Sequence, residues 1–439
     1  MQDQAKTSSR DPEKKPESGS NIGRRKFLGR LSKGAGIALL APAIVPRNVL
    51  GRGFLPPSDQ ITMGFVGCGG MGEGLLSGFL PKPEVRVLAV CDVDADHRVH
   101  FQKRVGKGCD AYLDFRELTD RTDIDAAVIA TPDHWHTLTS LAAVESGKDV
   151  YCEKPLTLYI KEGRKLAQAV RRNRAVFQVG SMQRSDENFR RACELVRSGR
   201  IGEIHTVTTG IGGGPVIAFE PTAQPPERLD WNFWLGPAPV APYSKKRCHF
   251  NFRWFWDYSG GKVTDWGAHH NDIAQWGLGM DESGPVKIKG KGEYPQNAMS
   301  DTFVSFEIVY TYATGTKLIC TSQGENGVTF YGTKGEIFVS RGSFKATPEE
   351  IAYEPPDKDY VHLYRSMHHY QNFLDCIKTR QKPICDVEIG HRSATVCHLG
   401  NIAMRIGREL EWDPQKEEFV NDPNANRWID KPLRKPWTL

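Results

Sequence analysis

The chain has 439 residues, enough for two or three domains with a sizeable core. Its 39% hydrophobic and 25% charged residues are ordinary for a globular protein. The formal charge of +5 belongs to the first 33 residues, which hold nine Lys/Arg against four acids; the remainder carries 49 of each. That balance argues against a nucleic-acid binder, and no run approaches the roughly 18 apolar residues of a membrane helix.

Near the N-terminus Arg24-Arg25-Lys26-Phe27-Leu28 precedes a weakly apolar stretch, Ala35 to Val45, that contains Ala41-Pro42-Ala43. Basic, then briefly apolar, then small is the layout of a twin-arginine export signal. The alternative is a basic tail ahead of a short core helix. The signal reading sets residues 1–50 aside as signal and linker and implies a periplasmic or otherwise exported protein. The first cysteine is Cys68, too far along for a lipoprotein anchor. The ten cysteines include Cys91 and Cys152 inside apolar runs and form no CxxC pair, so most read as small core residues rather than disulfides or zinc ligands.

Residues 56–180 are predicted to form a dinucleotide-binding domain. The apolar run Ile61–Val66 meets Gly67-Cys68-Gly69-Gly70-Met71-Gly72, a GxGxxG turn between a strand and a helix running to Phe79. Gly67 suits the tight turn, Gly69 a close backbone approach to a pyrophosphate, and Gly72 close helix–strand packing. Gly70 and Met71 lie in the turn just before the helix, Gly72 to Phe79, whose N-terminus receives the phosphates. A second strand, Val85–Cys91, ends at Asp92, where a carboxylate accepts from ribose hydroxyls and repels a 2′-phosphate, favouring NAD over NADP. Strands at Asp125–Thr131, Asp149–Cys152 and Ala175–Val179 alternate with helices at His134–Glu145 and Lys161–Arg172, the pattern of a doubly wound parallel Rossmann sheet. Ligands of such sheets lie beyond the strands' carboxyl ends, where Gly69, Asp92, Thr131 and Lys154 fall.

GxGxxG, Thr131-Pro132-Asp133 with His136, Gly147-Lys148 and Glu153-Lys154-Pro155 together resemble the Gfo/Idh/MocA oxidoreductases, and the resemblance runs from about Ile61 to Leu410. It implies cofactor contacts from Thr131, Pro132, His136 and Glu153, a reactive role for Lys154, and a homo-oligomer.

Residues 181–410 read as an α+β substrate domain with an open, mostly antiparallel sheet. A helix at Asn188–Arg197 is followed by strands at Glu203–Ile211, Thr302–Tyr312, Thr316–Thr321, Val328–Gly332 and Glu336–Ser340, then helices at His369–Thr379 and His391–Arg408. Asp265, His269 and Asp272, spaced i, i+4, i+7, would share one helical stripe. The resemblance matches Asp265 and His269 to a motif that meets Lys154 around the reacting carbon. A histidine held by its helix neighbours and a metal cluster with His270 are the competing readings; adjacent histidines point to different faces, so no metal is expected.

Between Leu229 and Tyr258 aromatic residues are dense, suited to sugar stacking or to packing, with Asn232, Lys245, Arg247, Arg253 and Asp257 as hydroxyl binders. Lys154, Asp257, His269 and His270 are the candidate substrate contacts. Residues 411–439, with Trp428 and Trp437 in a proline-broken tail, read as a docked strap or a frayed end. The expected activity is hydride transfer between a secondary alcohol of a sugar, inositol or glycoside and NAD. The rivals are an NAD-dependent glycosidase, acting by transient oxidation and elimination, and a sensor that keeps NAD without turnover.

Overall fold

The computed structural model describes residues 59–439; the twin-arginine signal expected at residues 1–50 lies outside the described residues. The first half is β1 (Ile61–Val66), α1 (Gly70–Phe79), β2 (Val85–Cys91), α2 (Ala95–Val105), β3 (Asp110–Tyr112), α3 (Phe115–Thr119), β4 (Ala126–Ile129), α4 (Asp133–Glu145), β5 (Asp149–Cys152), α5 (Ile160–Asn173) and β6 (Phe177–Val179). The strands form one sheet in the order β3-β2-β1-β4-β5-β6, every pair parallel. Strands buried on both faces read as near-continuous apolar runs, and β4 and β5 are buried at every position. Leu75, Leu76 and Phe79 of α1 pack on one face with Phe65, Val87 and Val90. Leu141 and Val144 of α4 and Leu166 and Val170 of α5 cover the other.

Three elements escaped the sequence pattern. Helix α2 buries only Phe101, so it has almost no apolar stripe; Asp94 starts it by accepting from the Asp96 N–H at 3.0 Å. Strand β3 and helix α3 are three and five residues long.

The second half is α6 (Glu187–Arg197), β7 (Ile204–Gly210), α7 (Trp231–Leu235), α8 (Lys262–Asp265), α9 (Gly267–Leu278), β8 (Lys287–Glu293), β9 (Ser305–Thr311), β10 (Lys317–Thr321), β11 (Gly327–Gly332), β12 (Gly335–Ser340), β13 (Ser343–Thr347), α10 (His369–Thr379), α11 (Val387–Ile406), β14 (Leu410–Asp413), β15 (Glu418–Phe419) and α12 (Pro423–Asn426). Nine strands form a sheet ordered β13-β12-β11-β7-β10-β9-β8-β14-β15. It is mixed and mostly antiparallel, with β10 and β7 the parallel pair. Its inner face buries Val207, Ile308, Tyr310, Leu318, Val328 and Phe330 against Ile273 and Trp276 of α9 and Leu399 and Ile402 of α11. Strand β8, which alternates Lys with Ile or Gly, buries only Ile288 and so had no apolar run to reveal it.

The two halves are stitched together after β13. Phe373, Leu374 and Cys376 of α10 enter the core of the first sheet, and Cys385 and Val387 join its opposite face. Arg380 closes the seam on Asp149, 2.5 and 2.9 Å away. All ten cysteines are free and buried, many with thiols pushed up by burial. No described helix is long and apolar enough to cross a membrane.

Candidate active site

Beyond the carboxyl ends of β1, β2, β4 and β5 lies a cavity of about 590 Å³, a volume suited to a small ligand or cofactor. Its floor is the glycine turn. Gly67 has φ +92°, and a Cβ there would stand 2.6 Å from the Ala130 backbone. A Cβ on Gly72 would come within 2.2 Å of the Gly67 carbonyl, so α1 reaches the strand only because position 72 has none. Gly69 and Gly70, by contrast, face open space. The N-terminus of α1 has no side-chain cap, leaving its amides to a ligand. Asp92 is fixed at the end of β2 by the Cys68 N–H (2.7 Å) and the Asp94 N–H (2.8 Å). An open glycine cradle at an uncapped helix and a carboxylate held at the next strand end fit a dinucleotide.

Nine of the ten residues predicted to touch the cofactor line this cavity: Gly67, Gly69, Gly70, Met71, Asp92, Thr131, Pro132, His136 and Glu153. Gly72 packs behind it. The buried Thr131 hydroxyl and Glu153 Oε1 have no hydrogen-bond partner among the described residues. Burial pushes Glu153 up to about 7, against the opposing charge of Lys154. His136 approaches the carbonyls of Pro155 and Thr131, each at 2.9 Å, so it ties the two strand-end loops together. Burial pushes its imidazole down to about 4.

Lys154 also lines the cavity, and its ammonium donates to Asp265 Oδ1 (2.8 Å) and to the Asp265 carbonyl (3.0 Å). Burial alone would raise Asp265, but Lys154 and Arg253 outweigh it and hold the carboxyl down at about 2. Arg253, Nε 3.3 Å from Asp265 Oδ1, joins the cavity wall. His269 stands behind this pair. Burial, helped by the charges of Lys154 and Arg341, holds it well below its usual value, and its Nδ1 is buried without a partner. Neutral His269, ionised Asp265 and the Lys154 amine form one electrostatic unit.

The expected single helical stripe is interrupted at Trp266: Asp265 ends α8 and His269 lies in the first turn of α9. Asp272 turns away, into a buried ion pair with Arg184 at 2.7 and 2.9 Å. Two proposed substrate contacts lie elsewhere. His270 is fully buried, its Nε2 3.0 Å from Asn326 Oδ1 and its ring against Trp266 and Phe189, because the next residue along a helix faces another side. Asp257 pairs with Lys431 of the C-terminal tail at 2.6 Å, outside the main cavity. Asn232 likewise accepts from Arg434.

The aromatic segment divides between both roles. Trp231, Tyr243, Trp254, Phe255 and Tyr258 are core, whereas Phe233, Trp234, Phe250 and Phe252 line the cavity. The tail is docked: Trp437 stacks on Phe233 at 5.5 Å and meets Trp135 edge-on at 4.8 Å.

Sequence reasoning missed His97 and His249, which line the cavity beside Asp92 with ring centres 4.9 Å apart. His97 follows Asp92 by five residues on a helix without an apolar stripe, and His249 arrives from a distant loop. With Asp94 they bring metal-ligating atoms within 4.8 Å of one another. Asp94, however, caps α2 with one oxygen and faces Arg228 Nε at 3.3 Å with the other, which makes this a charge network.

Comparison with known proteins agrees with this geometry. Residues 61–181 match the NAD-binding Rossmann fold of the oxidoreductase family, and residues 218–439 match that family's C-terminal alpha/beta domain. The uncharacterized oxidoreductase YrbE of Bacillus subtilis is 23% identical over 373 residues, covering 80% of this chain and 96% of that one. The alpha-N-acetylgalactosaminidase of Shewanella oneidensis is 32% identical over 210 residues, 42% of this chain and 44% of that protein. The fold is shared with the WlbA dehydrogenase of Bordetella pertussis, solved with NADH and UDP-GlcNAcA, at TM-score 0.63 and 18% identity over 81% of this chain and 99% of that one. With both halves matched, the chain belongs to the Gfo/Idh/MocA family as an NAD-dependent oxidoreductase.

Proposed function

We propose that the enzyme oxidises a secondary alcohol of a sugar, inositol or glycoside, with Lys154, Asp265 and His269 as its reacting groups. The observation that carries this reading is the Lys154–Asp265 pair at the cavity wall with neutral, unpartnered His269 behind it. NAD, when bound, supplies the hydride acceptor. An ammonium has three N–H donors, and Lys154 commits two of them to Asp265. The third is free to hold the oxygen of the reacting hydroxyl and stabilise it as its proton leaves. A lysine engaged as a donor is no base, whereas a neutral imidazole accepts a proton at its ring nitrogen. Asp265, ionised across the ordinary range, then faces the imidazolium and the ammonium together. Asp92 faces the ribose hydroxyls and gives NAD preference over NADP.

The glycosidase alternative keeps the same residues and follows the oxidation with elimination and re-reduction; the relationship to the Shewanella enzyme supports it over less than half of either chain. Product analysis separates the two. A keto-sugar formed one-for-one with reduced cofactor supports net oxidation; free sugar with unchanged cofactor supports the glycosidase.

The twin-arginine segment supports export of the folded protein to the periplasm, and export with NAD loaded requires that the cofactor be retained and reoxidised in place. Retention is tested by desalting the exported protein and measuring the nucleotide still bound. Protein that emerges empty, yet turns over steadily once NAD is supplied, contradicts it. A homo-oligomer is supported by the outer face of the nine-stranded sheet, where Val309, Ile319 and Phe338 are only half-exposed to solvent.

A further inference from the structure

Two cations near the reacting groups touch neither Lys154 nor Asp265 in the chemistry above. Lys262 opens α8 three residues before Asp265, and Arg341 stands at the turn between β12 and β13. Both lie against Trp266: Lys262 Nζ is 5.1 Å and the Arg341 guanidinium carbon 5.0 Å from the ring centre. Arg341 Nε also comes within 3.3 Å of the side-chain amide of Gln183, turned so that its oxygen accepts. That same amide then donates to the His269 carbonyl at 3.0 Å, which places Arg341 beside the reacting histidine. Neither Lys262 nor Arg341 forms an ion pair among the described residues.

The charge around these groups is lopsided. Asp265 is already taken by Lys154 at 2.8 Å and Arg253 at 3.3 Å. Asp133 and Glu153, whose carboxyls burial pushes up to about 7 against the charges of Lys154 and Arg253, form no ion pair with Lys262 or Arg341 among the described residues. Burial and the Lys154 charge both act against Lys262, with Asp265 alone offsetting them. Lys262 is half-buried and Arg341 exposed; an unmatched ammonium in a half-buried place raises the free energy of the empty site, and an anion arriving there relieves it. Opposite Lys262 the backbone is glycine: at Gly212, φ +72°, a Cβ would touch the Lys262 side chain at 3.7 Å, so this wall carries no competing side chain.

We infer that the substrate is an anionic sugar or polyol whose carboxylate or phosphate is held by Lys262 and Arg341 while its reacting hydroxyl meets Lys154. The inference rests on the alcohol-oxidation reading for the position of the hydroxyl, but the anion subsite is read from Lys262, Arg341 and Trp266 alone. A guanidinium and an ammonium on one indole recognise an oxyanion through charge-assisted hydrogen bonds, while neutral sugars leave both cations unmatched.

The test is equilibrium binding of D-glucuronate, D-glucose 6-phosphate and D-glucose to the full-length protein in excess NAD, with turnover measured on the same samples. At least one anionic probe is expected to bind about tenfold or more tighter than glucose, with an advantage that shrinks as salt rises. Glucuronate against glucose 6-phosphate then tells carboxylate from phosphate. Lys262→Met and Arg341→Met should each remove most of the advantage, and Lys262→Arg, which keeps the charge, should retain it. Equal binding of glucose, or a preference that survives both substitutions, overturns the inference even if glucose is oxidised. Anion binding that depends on Lys262 and Arg341 without oxidation of any probe upholds the subsite and instead removes the alcohol-oxidation reading.

Discussion

In the proposed reaction Lys154 and His269 divide one task, the ammonium holding the oxygen and the imidazole taking the proton. The ammonium is bound to an aspartate held at about 2, and the imidazole is kept neutral by burial and by neighbouring cations. Replacing either by alanine is therefore expected to lower kcat by at least about a hundredfold, the scale of lost acid–base assistance, while NAD binding changes little. Stopped-flow turnover alongside cofactor titration checks this; a variant that keeps most of its rate identifies its residue as packing. Asp92 carries a different prediction. His97 lies 3.7 Å from its carboxylate and Arg98 donates to the Asp92 carbonyl, so removing the acid exposes a basic surface to a 2′-phosphate. Asp92→Ala should shift the NAD-to-NADP affinity ratio toward NADP by about tenfold or more, roughly 1.4 kcal/mol. An unchanged ratio would show that Asp92 does not set the preference. These residues were legible in the sequence because GxGxxG, Glu153-Lys154-Pro155 and Asp265-x-x-x-His269 are local patterns. Asp257 and His270 misled because composition shows that a polar group is present but not which way it faces.

At the scale of elements, regular apolar periodicity was readable and marginal periodicity was not. The long buried strands and α10 fell where the pattern placed them, whereas α2, β8 and β13 carry polar or charged residues at most positions and left no signal. The helix bearing Asp265 and His269 broke at Trp266, a division no spacing rule shows. Nor could local pattern reveal that the tail reaches back to both domains, with Trp437 edge-on to Trp135 of the first at 4.8 Å. Trp437 stacks on Phe233 with planes 9° apart, Arg434 donates to the Gly236 carbonyl at 2.7 Å, and Phe233 in turn lines the cofactor cavity. The tail is thus part of the wall's support. Trp437→Ala is expected to cost about 2 kcal/mol of stability, as partial loss of a packed aromatic does. It should also weaken NAD binding several-fold. Urea unfolding and cofactor titration measure the two effects, and an unchanged NAD affinity would confine the tail to a structural role.

For the molecule as a whole, the charges buried between the two halves set how stability depends on pH. Burial opposes the ionisation of Glu388 and Glu417, but Arg164, with Arg392 and His391, overrides it and holds both at about 2. Their contribution is complete above the ordinary carboxylate range and disappears as pH falls toward 2. Asp133, Glu153 and Glu162 behave oppositely: burial pushes each up to about 7, so they bind protons more tightly in the folded state. That contribution weakens as pH rises from the unfolded carboxylate range to about 7. The melting temperature of the cofactor-free protein should accordingly peak near pH 5 and decline on both sides, and a calorimetric profile that is flat up to pH 8 would contradict this balance. In the proposed reaction NAD would take the hydride from a secondary alcohol while Lys154, Asp265 and His269 hold its oxygen and take its proton. This reaction is tested most directly by mixing NAD-loaded protein with sugars, polyols and glycosides while following reduced nicotinamide and product together. A keto product is expected in step with reduced cofactor, with loss of both in Lys154→Ala and His269→Ala. Release of a free sugar with no net cofactor reduction, or reduction that persists in both variants, would contradict it.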